Sequence, residues 1–220
     1  MHSVFYKLLK HVHALRFAQT GELRIGTLFE YRKQEVHGTE IGDYGEGIKS
    51  TDCVDSISSA TQLMSHQFIS SFFTGVTPES NIVINASFSR VEQSNDLYIY
   101  SMADQLVPEA AQELGYDTYI KIKEPNIYLS CIDERLRQVA SISQGFGLHK
   151  CIYLSRGQLY SSEHGVFPVP GHQAHPAVIK DPKYAYQSEV RAMWSPVAGS
   201  IEPIILNCPD VLQYCEIGKL

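Results

Sequence analysis

The segment Gln187-Ser188-Glu189-Val190-Arg191-Ala192-Met193-Trp194 constrains this chain more than any other stretch. At the two-residue period of a strand, Gln187, Glu189 and Arg191 fall on one face, while Val190, Ala192 and Trp194 fall on the other. One face is built to pack, and the other carries an amide, a carboxylate and a guanidinium in a row. Two readings follow. In one, this is an edge strand whose polar face meets water and whose Glu189 pairs with a neighbouring Lys or Arg. In the other, the row of polar groups reads a ligand.

The remaining pattern supplies strands and helices around it. Residues 4–8 read as a strand and 11–18 as a helix that Gly21 stops. Residues 22–28 read as a second strand and 29–35 as one or two helical turns. Residues 36–49 are glycine-rich and acidic, which predicts a mobile surface loop in which Asp43 and Glu46 serve turn chemistry and solubility, with direct substrate contact as the alternative. The Ser/Thr-rich run 50–71 yields only a helix around 57–66. Residues 82–91 and 96–102 read as a hairpin, 108–114 as a helix opened by proline, and 117–123 as a strand. A helix over 126–139 presents Glu134, Arg135 and Arg137 to water. Strands are expected at 149–155, 158–161 and 201–206. Neither repeats nor a linker interrupt this order, so the expectation is one α+β domain over residues 1–220 on largely antiparallel strands.

Composition narrows the function. Lys and Arg number 18 against 24 Asp and Glu, a net charge of −6, which argues against a diffuse basic surface for nucleic acid. A nucleic-acid enzyme working through Lys121, Lys123, Arg135 and Arg137 is the reading this disfavours. No run of about 20 apolar residues could cross a bilayer, and the first residues lack a secretory pattern. The five cysteines are scattered without Cys-x-x-Cys spacing. A cytoplasmic protein with reduced thiols is expected. His164, His172 and His175 lie in and around a Gly/Pro-rich stretch without zinc-ligand spacing, so a surface loop and no metal are expected there.

Motifs for a serine elbow, a phosphate-binding P-loop, a dinucleotide-binding turn and a zinc helix are all missing. A fixed carboxylate two residues after an amide suits another chemistry, the electrostatic stabilisation of a cationic sugar as a glycosidic bond breaks. Aromatic faces could stack on a planar, positively charged leaving group.

With Gln187-Ser188-Glu189 on a late strand, Arg24 in Leu23-Arg24-Ile25-Gly26 and the aromatics Phe29 and Tyr31, the chain resembles the ADP-ribosyltransferase superfamily. It also looks like an uncharacterised bacterial family that opens with a Tyr-Lys strand and ends in a Gln-x-Glu-x-Arg strand. More distantly it is similar to DNA- and RNA-modifying toxins of phage defence. Tyr6-Lys7 stands where those toxins carry a His-containing motif, and Ser101 is the nearest counterpart of their Ser-Thr-Ser.

The resemblance implies a split, mostly antiparallel sheet with flanking helices and NAD as co-substrate. It implies Glu189 and Gln187 as catalytic residues, with Glu189 on the ribose and Gln187 orienting the acceptor. Tyr6, Lys7, Arg24, Tyr31, Arg32 and Ser101 would bind NAD, with the early cation open between Arg24 and Lys7. The implied partners are an RNA, DNA or protein acceptor and an antitoxin or other regulatory protein, with no membrane. The alternative is a non-catalytic module that uses the same cleft for a nucleotide or a partner protein.

Overall fold

A computed structural model describes residues 4–33, 42–66, 69–154, 157–160, 174–197 and 199–220, with backbone alone for 51–55 and 157–160. In chain order these form β1 (Phe5–Leu9), α1 (His11–Thr20), β2 (Glu22–Thr27), β3 (Ile48–Ile57), α2 (Ala60–Ser65), β4 (Ile84–Gln93), β5 (Tyr98–Ala103) and α3 (Pro108–Glu113). There follow β6 (Thr118–Ile122), α4 (Pro125–Val139), β7 (Ile142–Lys150), β8 (Ile152–Tyr153), β9 (Gly157–Tyr160), β10 (Ile179–Lys180), β11 (Glu189–Pro196), β12 (Ile204–Asn207) and β13 (Cys215–Lys219). The architecture is mixed α+β.

Local chemistry sets the helix ends. α1 stops where Gly21 takes a left-handed φ of 67° and its N–H bonds back to the Phe17 carbonyl. A Cβ at Gly21 would also lie 2.2 Å from the Cys208 carbonyl oxygen, so the position tolerates no side chain. α3 and α4 both begin with proline in the first turn, where its missing N–H costs nothing.

Eight strands make one sheet whose pairings are all antiparallel. β11 runs along one edge of β5, from Glu189 opposite Ala103 to Trp194 opposite Tyr98, and β7 covers its other side. The second edge of β5 is shared. β2 pairs only with its beginning, Gly26 opposite Ile99, and β1 only with its end, Tyr6 opposite Ala103. β2 leads on to β12, whereas β1 leads to β6 and β13. The sheet therefore splits beside the middle of β5. The Lys7 ammonium reaches into the split, its Nζ donating to the Ser101 carbonyl oxygen at 2.8 Å.

Helices α1 and α4 cover one face. Phe17, Tyr128, Ile132 and Leu136 pack on Ile25, Ile120, Val190, Ala192 and Trp194. Each large apolar side chain removed from water here contributes about 1.5–3 kcal/mol. Trp194 is fully buried, and its Nε1 donates to Asp133 at 2.9 Å, so its polar atom is satisfied as well.

Several expectations from the sequence need correction. Residues 42–47 are packed rather than a mobile surface loop, with Asp43 and Glu46 buried; residues 36–41 lie outside the described residues. The run after them is the strand β3, which pairs with β4 and, in parallel, with β9 in a separate three-stranded sheet. Hence 82–91 and 96–102 do not form a hairpin. β5 is buried at five of its six positions and belongs in the middle of a sheet, whereas no β4 side chain is fully buried. The strand expected at 149–155 divides around Cys151 into the end of β7 and β8 over the described residues 149–154, and of residues 29–35 the described 29–33 contribute one 3-10 turn, Glu30–Arg32.

Among the described residues no helix is long and apolar enough to cross a membrane, and no group of three or more His, Cys, Asp or Glu could hold a metal ion. His164 and His172 lie outside the described residues. His175 caps a 3-10 turn, its Nδ1 accepting from the Ala177 N–H.

Candidate functional site: a charged cleft at the split in the sheet

β11 is an interior strand, so the edge-strand reading of its polar face is overturned. Paired by β5 and β7, it carries Glu189 and Arg191 at 6% and 2% exposure, so most of each side chain is removed from bulk water. Gln187 does not extend the strand. It closes the 3-10 turn Pro182–Gln187, and Ser188 joins turn to strand in a left-handed conformation, φ 45° and ψ 44°. Such a backbone at a non-glycine residue costs roughly 1–2 kcal/mol, and here it sits directly before the carboxylate.

Four charged side chains close a buried network. Arg191 Nε donates to Glu189 Oε1 at 2.8 Å, and its Nη1 donates to Glu46 Oε1 at 2.5 Å and to the Ala177 carbonyl at 2.5 Å. Lys180 Nζ donates to Glu189 Oε2 at 2.5 Å and to the Gln187 amide oxygen at 2.6 Å. Two cations and two anions balance, which is what allows all four to leave water. Burial alone would push the Glu189 carboxyl upward, but Arg191 and Lys180 outweigh it and hold the group well below the usual carboxylate range. Glu189 is thus ionised and fixed. Beside it burial pushes the Cys151 thiol up to about 12, leaving it un-ionised despite the nearby Arg191.

The network forms one wall of a cleft of about 120 Å³, smaller than the roughly 300–1,000 Å³ of small-molecule sites, beside an adjoining groove of about 810 Å³. Tyr6, Lys7, Tyr31, Ser101, Gln187 and Glu189, selected from four separate segments of sequence, all line the cleft. Arg24 does not. It lines the groove, pairs closely with Glu30 and is half exposed. The two spaces share Lys7, Leu8, Tyr31, Leu114 and Tyr116. Arg32 lines neither: its guanidinium stacks 3.9 Å over the Phe29 ring and its Nε donates to the Glu46 carbonyl at 2.7 Å. It holds the loop that delivers Glu46. The surface cations Lys123 and Arg137 are engaged with Glu216 and Asp133.

No family model, curated protein or solved structure matches this chain. Its own groups therefore define what the cleft can do. They offer an ionised carboxylate at the wall, an amide beside it and tyrosine faces at 6, 31 and 116. Lys7 is left over once Glu46, Arg191, Glu189 and Lys180 are balanced, so the lining carries one net positive charge. Burial lowers the Lys7 ammonium to about 8, against the opposing pull of Glu189, and pushes the Tyr31 phenol up to about 12.

Sequence reasoning ranks substrate contact by Glu46 below turn chemistry, and it misses Lys180 as a member of the site. The only signal for Glu46 was an acid among glycines, which reads equally well as a turn. Lys180 precedes Asp181-Pro182 and has no local pattern that marks it as buried.

Proposed function

We propose that the cleft binds NAD and that the protein transfers its ADP-ribosyl group to an acceptor, as the resemblance in the sequence implies. One observation supports this most. An ionised, immobile carboxylate stands in the same cleft as aromatic faces and an otherwise unbalanced cation. Breaking the nicotinamide–ribose bond develops positive charge on the ribose ring, and a preorganised anion stabilises that charge without reorganising at the moment of reaction. Tyr31 offers a face for the departing nicotinamide, Lys7 offers charge to the pyrophosphate with Arg24 at the groove beyond, and Gln187 orients the acceptor. Glu189 Oε1 accepts only from Arg191 Nε among the described residues, so it keeps an acceptor position for a ribose hydroxyl.

A second reading, a binding module without turnover, is favoured by the pairing of Glu189 with two cations, which spend part of the negative charge that catalysis would use. Nicotinamide release from NAD separates the two, measured with and without cellular RNA, DNA and protein as acceptors. Transferase chemistry predicts release that falls by at least about 100-fold in Glu189→Gln, with melting curves confirming that the variant is folded. NAD binding without release in any mixture would select the module. Neither binding nor release would exclude the transferase and an NAD-binding module alike.

A further inference from the structure

We propose that Lys7 is a nucleophilic amine that forms an imine with the aldehyde or ketone carbon of a phosphate-bearing ligand. This goes beyond the NAD reading and does not depend on it.

The contrast with the other buried or bridging lysines carries the inference. Lys49, Lys123, Lys150 and Lys180 each face a carboxylate, from Glu92, Glu216, Asp104 and Glu189 respectively. A carboxylate partner holds the proton on the amine. Lys7 has no acid within ion-pairing distance among the described residues; its Nζ donates to the Ser101 carbonyl and lies 4.8 Å from the centre of the Tyr100 ring. Lys7 nevertheless lines both the cleft and the groove. An amine that is half-buried, reachable and without a counterion is the arrangement that frees a lysine lone pair for covalent chemistry.

The surroundings act in the same direction. Desolvation is the main cause of the lowered ammonium pKa, Arg24 on β2 adds to it, and Glu189 on β11 opposes it. Tyr31 and Tyr116 face the same space, and the charges of Glu46, Lys180 and Arg191 complete the cleft wall. With the proton lost near pH 8 rather than 10.5, neutral amine at pH 7.5 rises on the order of a hundredfold over an exposed lysine.

The phosphate comes from the groove. Lys10, His13, Arg16 and Arg24 line it together with Lys7, against Glu22 and Glu30. Arg24 and Arg16 are paired with Glu30 and Glu22, and Lys10 has no ion pair among the described residues. A carbonyl carbon at Lys7 would thus carry its phosphate among cations.

The step balances on its own. The amine lone pair attacks the carbonyl carbon, and the C=O π electrons pass to oxygen, which takes a proton. The carbinolamine then loses one water to leave the C=N bond.

Pyridoxal 5′-phosphate followed by borohydride reduction, digestion and mass spectrometry tests this on the full chain. At about pH 7.5 the expected result is reductive modification of Lys7 at least about tenfold faster than of Lys10, Lys123 or Lys150, with a rate that levels off above about pH 8. The Lys7→Arg variant should lose the modification. Pyridoxal without the phosphate should react more slowly at Lys7, and inorganic phosphate should compete. Labelling spread evenly over exposed lysines, or an unmodified Lys7, would overturn the proposal. Equal rates for pyridoxal and its phosphate would overturn the assignment of a phosphate-bearing ligand. None of these readouts involves NAD, so this proposal and the transferase reading can fail separately.

Discussion

Removing Glu46 is the sharpest probe of the buried network. Its carboxylate is 1% exposed on the side-chain scale and bonds Arg191 Nη1, itself 2% exposed. In Glu46→Ala the guanidinium stays buried with the Ala177 carbonyl and the Glu189 carboxylate as its remaining partners. Breaking a buried pair from one side costs about 3–5 kcal/mol. In a domain of this length each kcal/mol lowers the melting temperature by about 2–4 °C, so a fall of about 6–20 °C is expected. Arg191→Met should be comparably damaging, since it strands Glu46. The double variant removes one charge of each sign and leaves Lys180 facing Glu189, so its loss should undercut the sum of the singles by at least about 2 kcal/mol. Urea unfolding of the four proteins closes the cycle. Additivity within about 0.5 kcal/mol, or a Glu46→Ala loss below about 1 kcal/mol, would refute the claim that these charges balance one another inside the fold.

Lys7 gives a pH signature of its own. Its folded-state value is lowered to about 8 against 10.5, so between those values the unfolded chain binds more protons and stability rises with pH. Relative to Lys7→Met, the wild type should gain on the order of 2 kcal/mol from pH 8 to pH 10.5, with the variant the more stable at neutral pH; a flat difference in chemical denaturation across that window would contradict the burial of the ammonium. Gly26→Ala tests the cleft wall, because a Cβ there would meet the Tyr31 hydroxyl at 2.6 Å. The ring must move, so NAD affinity measured by calorimetry should fall several-fold while the melting temperature changes little; unchanged affinity would remove Tyr31 from the binding surface.

The parts of this fold that were legible in sequence are those with a local period. β11 declared its packed face through Val190, Ala192 and Trp194, and α1 declared its end through Gly21. β3 did not, because its Ser/Thr-rich residues lack an apolar alternation and it is held by two neighbouring strands. β13 was missed as well, since its pairing with β6 is a contact between distant parts of the chain. The same division runs through the site. Tyr6, Lys7, Tyr31, Ser101, Gln187 and Glu189 are named through the family resemblance, and they line one cleft. That Gln187 would stand on a turn, that Arg32 would serve the Glu46 loop and that Glu46 itself would be buried depend on tertiary neighbours. A charge read as solvated in sequence becomes an interior charge only when its counterion arrives from elsewhere, here over 145 positions.

The eight residues of β11 belong to two trades at once: one flank is mortared into the helices, and the other frames the opening where a ligand would rest. A change at Glu189 or Arg191 alone is therefore felt by the fold before it is felt by anything in the opening. Retention of both charges would speak first of architecture.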